Sequence, residues 1–125
     1  MAGKKTMETP LVDFSFIYEM AGNDTQYMYD IINLYLSTFP EKLNELEKQV
    51  KETDNYVAIE KLVHFLKSGS SVIKIRDMYD GLVGMEILAK AQAGKEGLLA
   101  TLDNILTNFR QAMPLLVAER EKYRN

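Results

Sequence analysis

Apolar residues recur at spacings of three and four along most of the chain. From Thr25 to Thr53 they fall at Ile32, Leu36, Phe39, Leu43, Leu46 and Val50, the stripe of a long amphipathic helix. Glu41, Lys42, Glu45, Glu47, Lys48 and Lys51 mostly clothe its outer side. Pro40 lies within it; a proline removes one backbone hydrogen bond and clashes one turn back, which predicts a kink or a helix restart. Gly22-Asn23-Asp24 breaks the chain before this helix, with Gln26 three residues after Asn23 as in a capping box. Upstream, Val12 to Met20 reads as a short helix capped by Asp13 or Ser15. Its alternation would also suit a strand, but no partner strand is visible elsewhere. Residues 1–10 read as a flexible tail ended by Pro10.

Asp54-Asn55 is the next turn and cap. In the helix it opens, Ile59, Leu62, Val63, Leu66 and Ser70 fall within roughly 40° of one direction at about 100° per residue. His64 lies roughly 140° from that face, sharing its sector with Glu60, Lys67, Ser68 and Ser71. Ser68-Gly69-Ser70-Ser71 is a poor helix interior, so the helix is expected to end between Ser70 and Lys74. A fourth helix is predicted from Arg76 to Ala91, with Met78, Leu82, Met85 and Ala89 on one face. After a turn at Ala93-Gly94-Lys95, a fifth runs from Glu96 to Tyr123. Its seam is Leu99, Leu102, Ile105/Leu106, Phe109, Met113 and Leu116, and Pro114 predicts a bend. The fold class expected is all-α: an antiparallel up-down four-helix bundle with a short additional N-terminal helix, over residues 11–123 and without strands.

Composition narrows the function classes. The chain has 125 residues, 46% apolar and 26% charged, a soluble globular balance. A net charge of −3 provides no basic footprint for nucleic acid. No apolar run approaches the roughly 18 residues of a membrane span, and no apolar segment follows the basic N-terminus as in a secretory leader. The absence of cysteine removes disulfides and thiolate metal sites and fits a reducing compartment, so a cytoplasmic monomer is expected. With one histidine the chain cannot supply the paired Glu-x-x-His of a di-iron bundle, and no zinc-type ligand cluster is visible. Neither a Gly-x-Ser-x-Gly elbow nor a Gly-x-x-x-x-Gly-Lys-Ser/Thr loop occurs. No metal and no cofactor is expected.

What remains is a lone imidazole turned away from the core. Free imidazole titrates near 6.5, so much of it is a neutral nucleophile at pH 7. Lys67, one turn on, places a cation where an anion at the ring would sit, and Ser68 and Gly69 keep the adjoining surface low. An imidazole beside an ammonium suits a phosphoryl group that arrives from outside and later leaves. Val57 falls near His64 on the helical wheel, and Tyr27, Met28 or Ile31 would complete a small apolar docking patch.

The run His64-Phe65-Leu66-Lys67-Ser68-Gly69-Ser70-Ser71 resembles the His-x-Leu-Lys-Gly-Ser signature of histidine-containing phosphotransfer domains. Met85-Glu86 is similar to the Leu-Glu-like pair these domains carry on the next helix, and Met113-Pro114 to their late proline. The likeness spans Val12 to Arg120. It departs from the family at Ser68, where glycine is usual, and at Lys74 or Ile75, where another glycine is common. The resemblance implies a phosphorelay intermediate without kinase or ATPase activity of its own. His64 would accept a phosphoryl group from the aspartate of a receiver domain and pass it to another receiver. The receiver, in a response regulator or hybrid kinase, would bring the acidic cluster and Mg²⁺. Lys67 would steady the phosphoryl group, Ser68 and Ser71 would give clearance or polar surroundings, and Glu86 would orient the ring or lie beside it. The competing readings are a helical adaptor that docks receivers without relaying phosphate, and a small-molecule-binding bundle.

Overall fold

The computed structural model describes residues 10–124, and over them the chain is all-α, with five helices and a minute strand pair. The helices are α1 (Ser15–Ala21), α2 (Thr25–Glu52), α3 (Tyr56–Gly69), α4 (Met78–Lys90) and α5 (Lys95–Lys122). The expected N-terminal tail falls, except for Pro10, outside the described residues.

The three-and-four spacing does what it predicts. On α2 the buried face is Met28, Ile32, Tyr35, Phe39, Leu43, Leu46 and Val50, with Leu36 only half-buried beside it. On α5 the face is Leu98, Leu102, Ile105, Leu106, Phe109, Ala112 and Leu116, one position before the expected Leu99 and Met113, which are half-buried. Helix α3 packs against α2 and α4, and α5 packs against the same two, so one core is shared by all four. The helices run on through Pro40 and Pro114, so the restart foreseen at Pro40 does not occur.

Two local expectations need correction. The alternating segment after Leu11 does form a strand, β1 (Val12–Asp13), whose antiparallel partner is β2 (Lys74–Ile75). The partner's own signal is the alternation Ile73-Lys74-Ile75, with both isoleucines buried and the lysine exposed. The ladder and the Arg76 N–H to Leu11 C=O bond (2.9 Å) tie the N-terminal segment across the exit of α3. Helix α1 starts at Ser15, so its N-cap position is Phe14, between the two expected caps, and Phe14 makes no side-chain cap. Asp13 nonetheless accepts from the Ser15 N–H at 2.9 Å. At α2 the cap is Asp24 and not Asn23: the Asp24 carboxylate accepts from the Tyr27 N–H at 3.0 Å, while Gln26 reaches Asp30 instead of closing a capping box.

Asn55 caps α3 through Ala58 N–H (3.1 Å) and so sets where the histidine helix begins. Gly94, at φ 81°, opens α5 in the left-handed region, where a Cβ would also stand 2.7 Å from Leu88. The far end of the molecule is held by Glu119, buried at 5% exposure, which accepts from the Tyr18 hydroxyl of α1, Lys122 Nζ (2.9 Å) and the Tyr123 hydroxyl (3.4 Å).

Candidate functional site

Ile59, Val63, Leu66 and Ser70 are all buried, and this anchors the rotation of α3. With that face fixed inward, His64 must point out, and its side chain is 67% exposed. Gly69 fixes the depth at which the last turn sits. A Cβ there would lie 2.5 Å from Phe39 Cε1, so only glycine lets α3 come this close to the Phe39 ring of α2. Residue 68, by contrast, faces solvent, and residue 69 faces Phe39.

Across the groove, α4 presents Glu86. Its inward face is Met78, Leu82, Met85 and Ala89, and Glu86 follows Met85 at the border of that stripe, 8% exposed. It is not a solvent-facing helix carboxylate. Oε2 lies 3.0 Å from His64 Nδ1, and Oε1 accepts from Lys67 Nζ at 2.7 Å. The hydrogen bond from Lys67, then that from His64, hold the Glu86 carboxyl at about 2 against the opposing effect of burial. The same bond to Glu86 pushes the Lys67 ammonium up from its usual value. An ionised carboxylate can only accept, so the ring contributes Nδ1–H, and a neutral His64 carries its lone pair on Nε2. The arrangement therefore pairs an exposed imidazole nitrogen with a cation, both oriented by one buried anion.

Val57, Glu60, Lys61, His64, Lys67, Glu86 and Lys90 line a groove of about 500 Å³ over the ring. Lys90 Nζ stands 4.0 Å from Glu60 Oε2 across it. On the far side of Lys67 a second cleft, about 590 Å³, is lined in part by Ser68, Ser71, Arg76 and Tyr79. The serines near the histidine are turned to backbone carbonyls of α3. Ser68 Oγ donates to His64 C=O (3.2 Å) and Ser71 Oγ to Ser68 C=O (3.0 Å), and both residues are exposed.

His64, Lys67 and Glu86 are thus brought together, and Ser68 and Ser71 flank them without touching the ring. The docking patch differs from expectation. Val57 does line the groove and is 56% exposed, but Met28 is buried in the core and neither Tyr27 nor Ile31 reaches it. The exposed apolar residues next in sequence to the site are Phe65, beneath Lys42 Nζ at 5.7 Å, and Ile87. Lys61 and Lys90 are groove residues that sequence reading passed over. Lys90 lies one helical turn after Glu86, and that spacing is the signal that would have found it. Among the described residues no group of three or more His, Cys, Asp or Glu could hold a metal ion, and no helix is long and apolar enough to cross a membrane. No family model, curated protein or solved structure matches the chain.

Proposed function

We propose that the chain is a phosphorelay intermediate: His64 takes a phosphoryl group from a receiver-domain aspartate and gives it to another receiver. The observation that carries this reading is the Glu86–His64 contact. It assigns the proton to Nδ1 and leaves the nucleophilic pair on Nε2 of a ring two-thirds exposed. The likeness of His64-Phe65-Leu66-Lys67 and Met85-Glu86 to phosphotransfer domains supports the same conclusion. Phosphoryl transfer asks for little covalent chemistry from the acceptor beyond position and charge compensation. His64 supplies the attacking nitrogen. Lys67 supplies a cation for the phosphoryl oxygens, and Glu86 orients both. The acidic cluster and Mg²⁺ belong to the receiver, which docks over the groove that Val57 helps to line. In this reading α2 to α5 form an up-down four-helix bundle working as a cytoplasmic monomer, and Ser68 is small enough to let the partner approach.

The test incubates the chain with a phosphorylated receiver and follows acid-labile, base-stable label. Wild type should become labelled, and His64→Gln should not, with helical circular dichroism unchanged. Lys67→Ala should slow labelling. Label retained on His64→Gln would overturn the acceptor assignment, and receivers that bind without transferring would favour the adaptor.

A further inference from the structure

We propose that the second cleft, on the far side of Lys67 from the ring, is an effector site for a small zwitterion of the amino-acid class, coupled to His64 through Lys67. Only the coupling rests on His64 as phosphoacceptor; the cleft stands without it. At about 590 Å³ it has the size of a ligand pocket, and it lies where the end of α3, the β1–β2 ladder and the first turn of α4 meet. Ser68 and Ser71, which flank the histidine without touching its ring, both line it. Among the described residues, the linings of this cleft and of the groove over His64 share one side chain, that of Lys67.

The lining selects a charge pattern. Lys67 of α3 and Lys74 of β2 contribute cations, and Asp77 and Asp80 at the start of α4 contribute carboxylates. Neither carboxylate has a hydrogen-bond or ion-pair partner among the described residues, and Asp77 makes no side-chain bond from its cap position. Lys74 is exposed and feels the charge of Asp13, whose Oδ1 is engaged by Ser15. Lys67 Nζ gives one N–H to Glu86 Oε1 (2.7 Å), and an ammonium has three. Arg76 adds a third positive charge to the lining. An anion alone would leave the two aspartates facing it, and a cation alone would meet the lysines. A molecule carrying both charges satisfies both sides, its carboxylate on Lys67 and Lys74 and its ammonium on Asp77 and Asp80. Pro10, Ile75 and the exposed ring of Tyr79 give its carbon skeleton an apolar wall.

Lys67 makes the two sites interact. A carboxylate in the cleft holds the ammonium from the side away from the ring and offsets part of its charge, so less of that charge serves phosphoryl oxygens on His64. The bound zwitterion therefore disfavours the phosphorylated ring. By linkage, a phosphoryl group on His64 weakens binding of the zwitterion by the same factor. The cleft in this way makes the relay answer to the level of a free amino acid.

The experiment titrates the full chain with each free proteinogenic α-amino acid at millimolar concentration and follows backbone amides by ¹H–¹⁵N NMR. At least one amino acid is expected to shift Ser71, Lys74 and Asp80 together. Its N-acetyl and carboxamide derivatives each lack one charge and should bind about fivefold more weakly or worse. Lys74→Met and Asp80→Asn should weaken the parent amino acid to a similar degree. The same titration on chain phosphorylated with phosphoramidate, which needs no receiver, should give an affinity lower by about fivefold or more. No shift at these amides with any amino acid would overturn the site, as would a derivative that binds as well as its parent. Equal affinity with and without the phosphoryl group would overturn the coupling, as would a His64 that phosphoramidate leaves unmodified. Failure of every receiver to transfer, with the amino-acid results intact, would count against the relay alone.

Discussion

Replacing Gly69 by alanine tests whether the seating of the histidine helix is set by one close contact. The added Cβ would stand 2.5 Å from Phe39 Cε1 and 3.0 Å from Cζ, about an ångström inside ordinary contact. The ring cannot swing aside cheaply: Phe39 is 2% exposed, stacked on Tyr35 at 4.1 Å between centroids and 6.4 Å from Phe109. Overpacking of this kind costs about 1–3 kcal/mol. Alanine recovers at most about 1 kcal/mol of helix propensity, and less here because Gly69 is the last residue of α3. The net expectation is a loss of about 1–2 kcal/mol, a fall in melting temperature of roughly 4–10 °C for a chain of this size. Gly84, inside α4 with nothing within 4 Å of a built Cβ, is the internal control, and Gly84→Ala should gain up to about 1 kcal/mol. Thermal melts by circular dichroism measure both. A Gly69→Ala protein as stable as wild type would refute the claim that Phe39 fixes the depth of α3.

The Tyr35 hydroxyl is buried with no hydrogen-bond partner among the described residues, and burial alone pushes its titration up. Tyr35→Phe should therefore be neutral or stabilising by up to about 1–2 kcal/mol in denaturant unfolding, where loss of a bonded hydroxyl would destabilise. Asn55→Ala removes the acceptor for Ala58 N–H and should cost about 1 kcal/mol in the same assay. Glu86 titrates at about 2 when folded, below the roughly 4.3 of an unfolded glutamate. Its contribution to stability is thus complete above the unfolded value and is lost as pH falls towards 2. The gap in melting temperature between wild type and Glu86→Gln should shrink across that window.

Periodicity made the helices legible because a stripe at three-and-four spacing has few other uses. It also settled that His64 faces outward, since Ile59, Val63 and Leu66 can only be buried together. Relations between elements were not legible. Whether Glu86 faces His64 depends on how α4 is rotated against α3, and a border position on one helix cannot report that. The β1–β2 ladder is two residues long on each side, so its alternation was too short to pair by eye. At the start of α2, Asn23 and Asp24 have equivalent cap chemistry, and the first helical turn decides between them. Gly69 reads as a helix breaker in sequence, and only packing against Phe39 gives it a reason.

The central claim is met most directly by a relay reconstituted from three components: a phosphorylated receiver, this chain, and a second unphosphorylated receiver. Label should reach the second receiver only when the chain is present, and His64→Gln should block it. Passage of label through His64→Gln, or no passage through a wild-type chain whose His64 is labelled, would contradict the account.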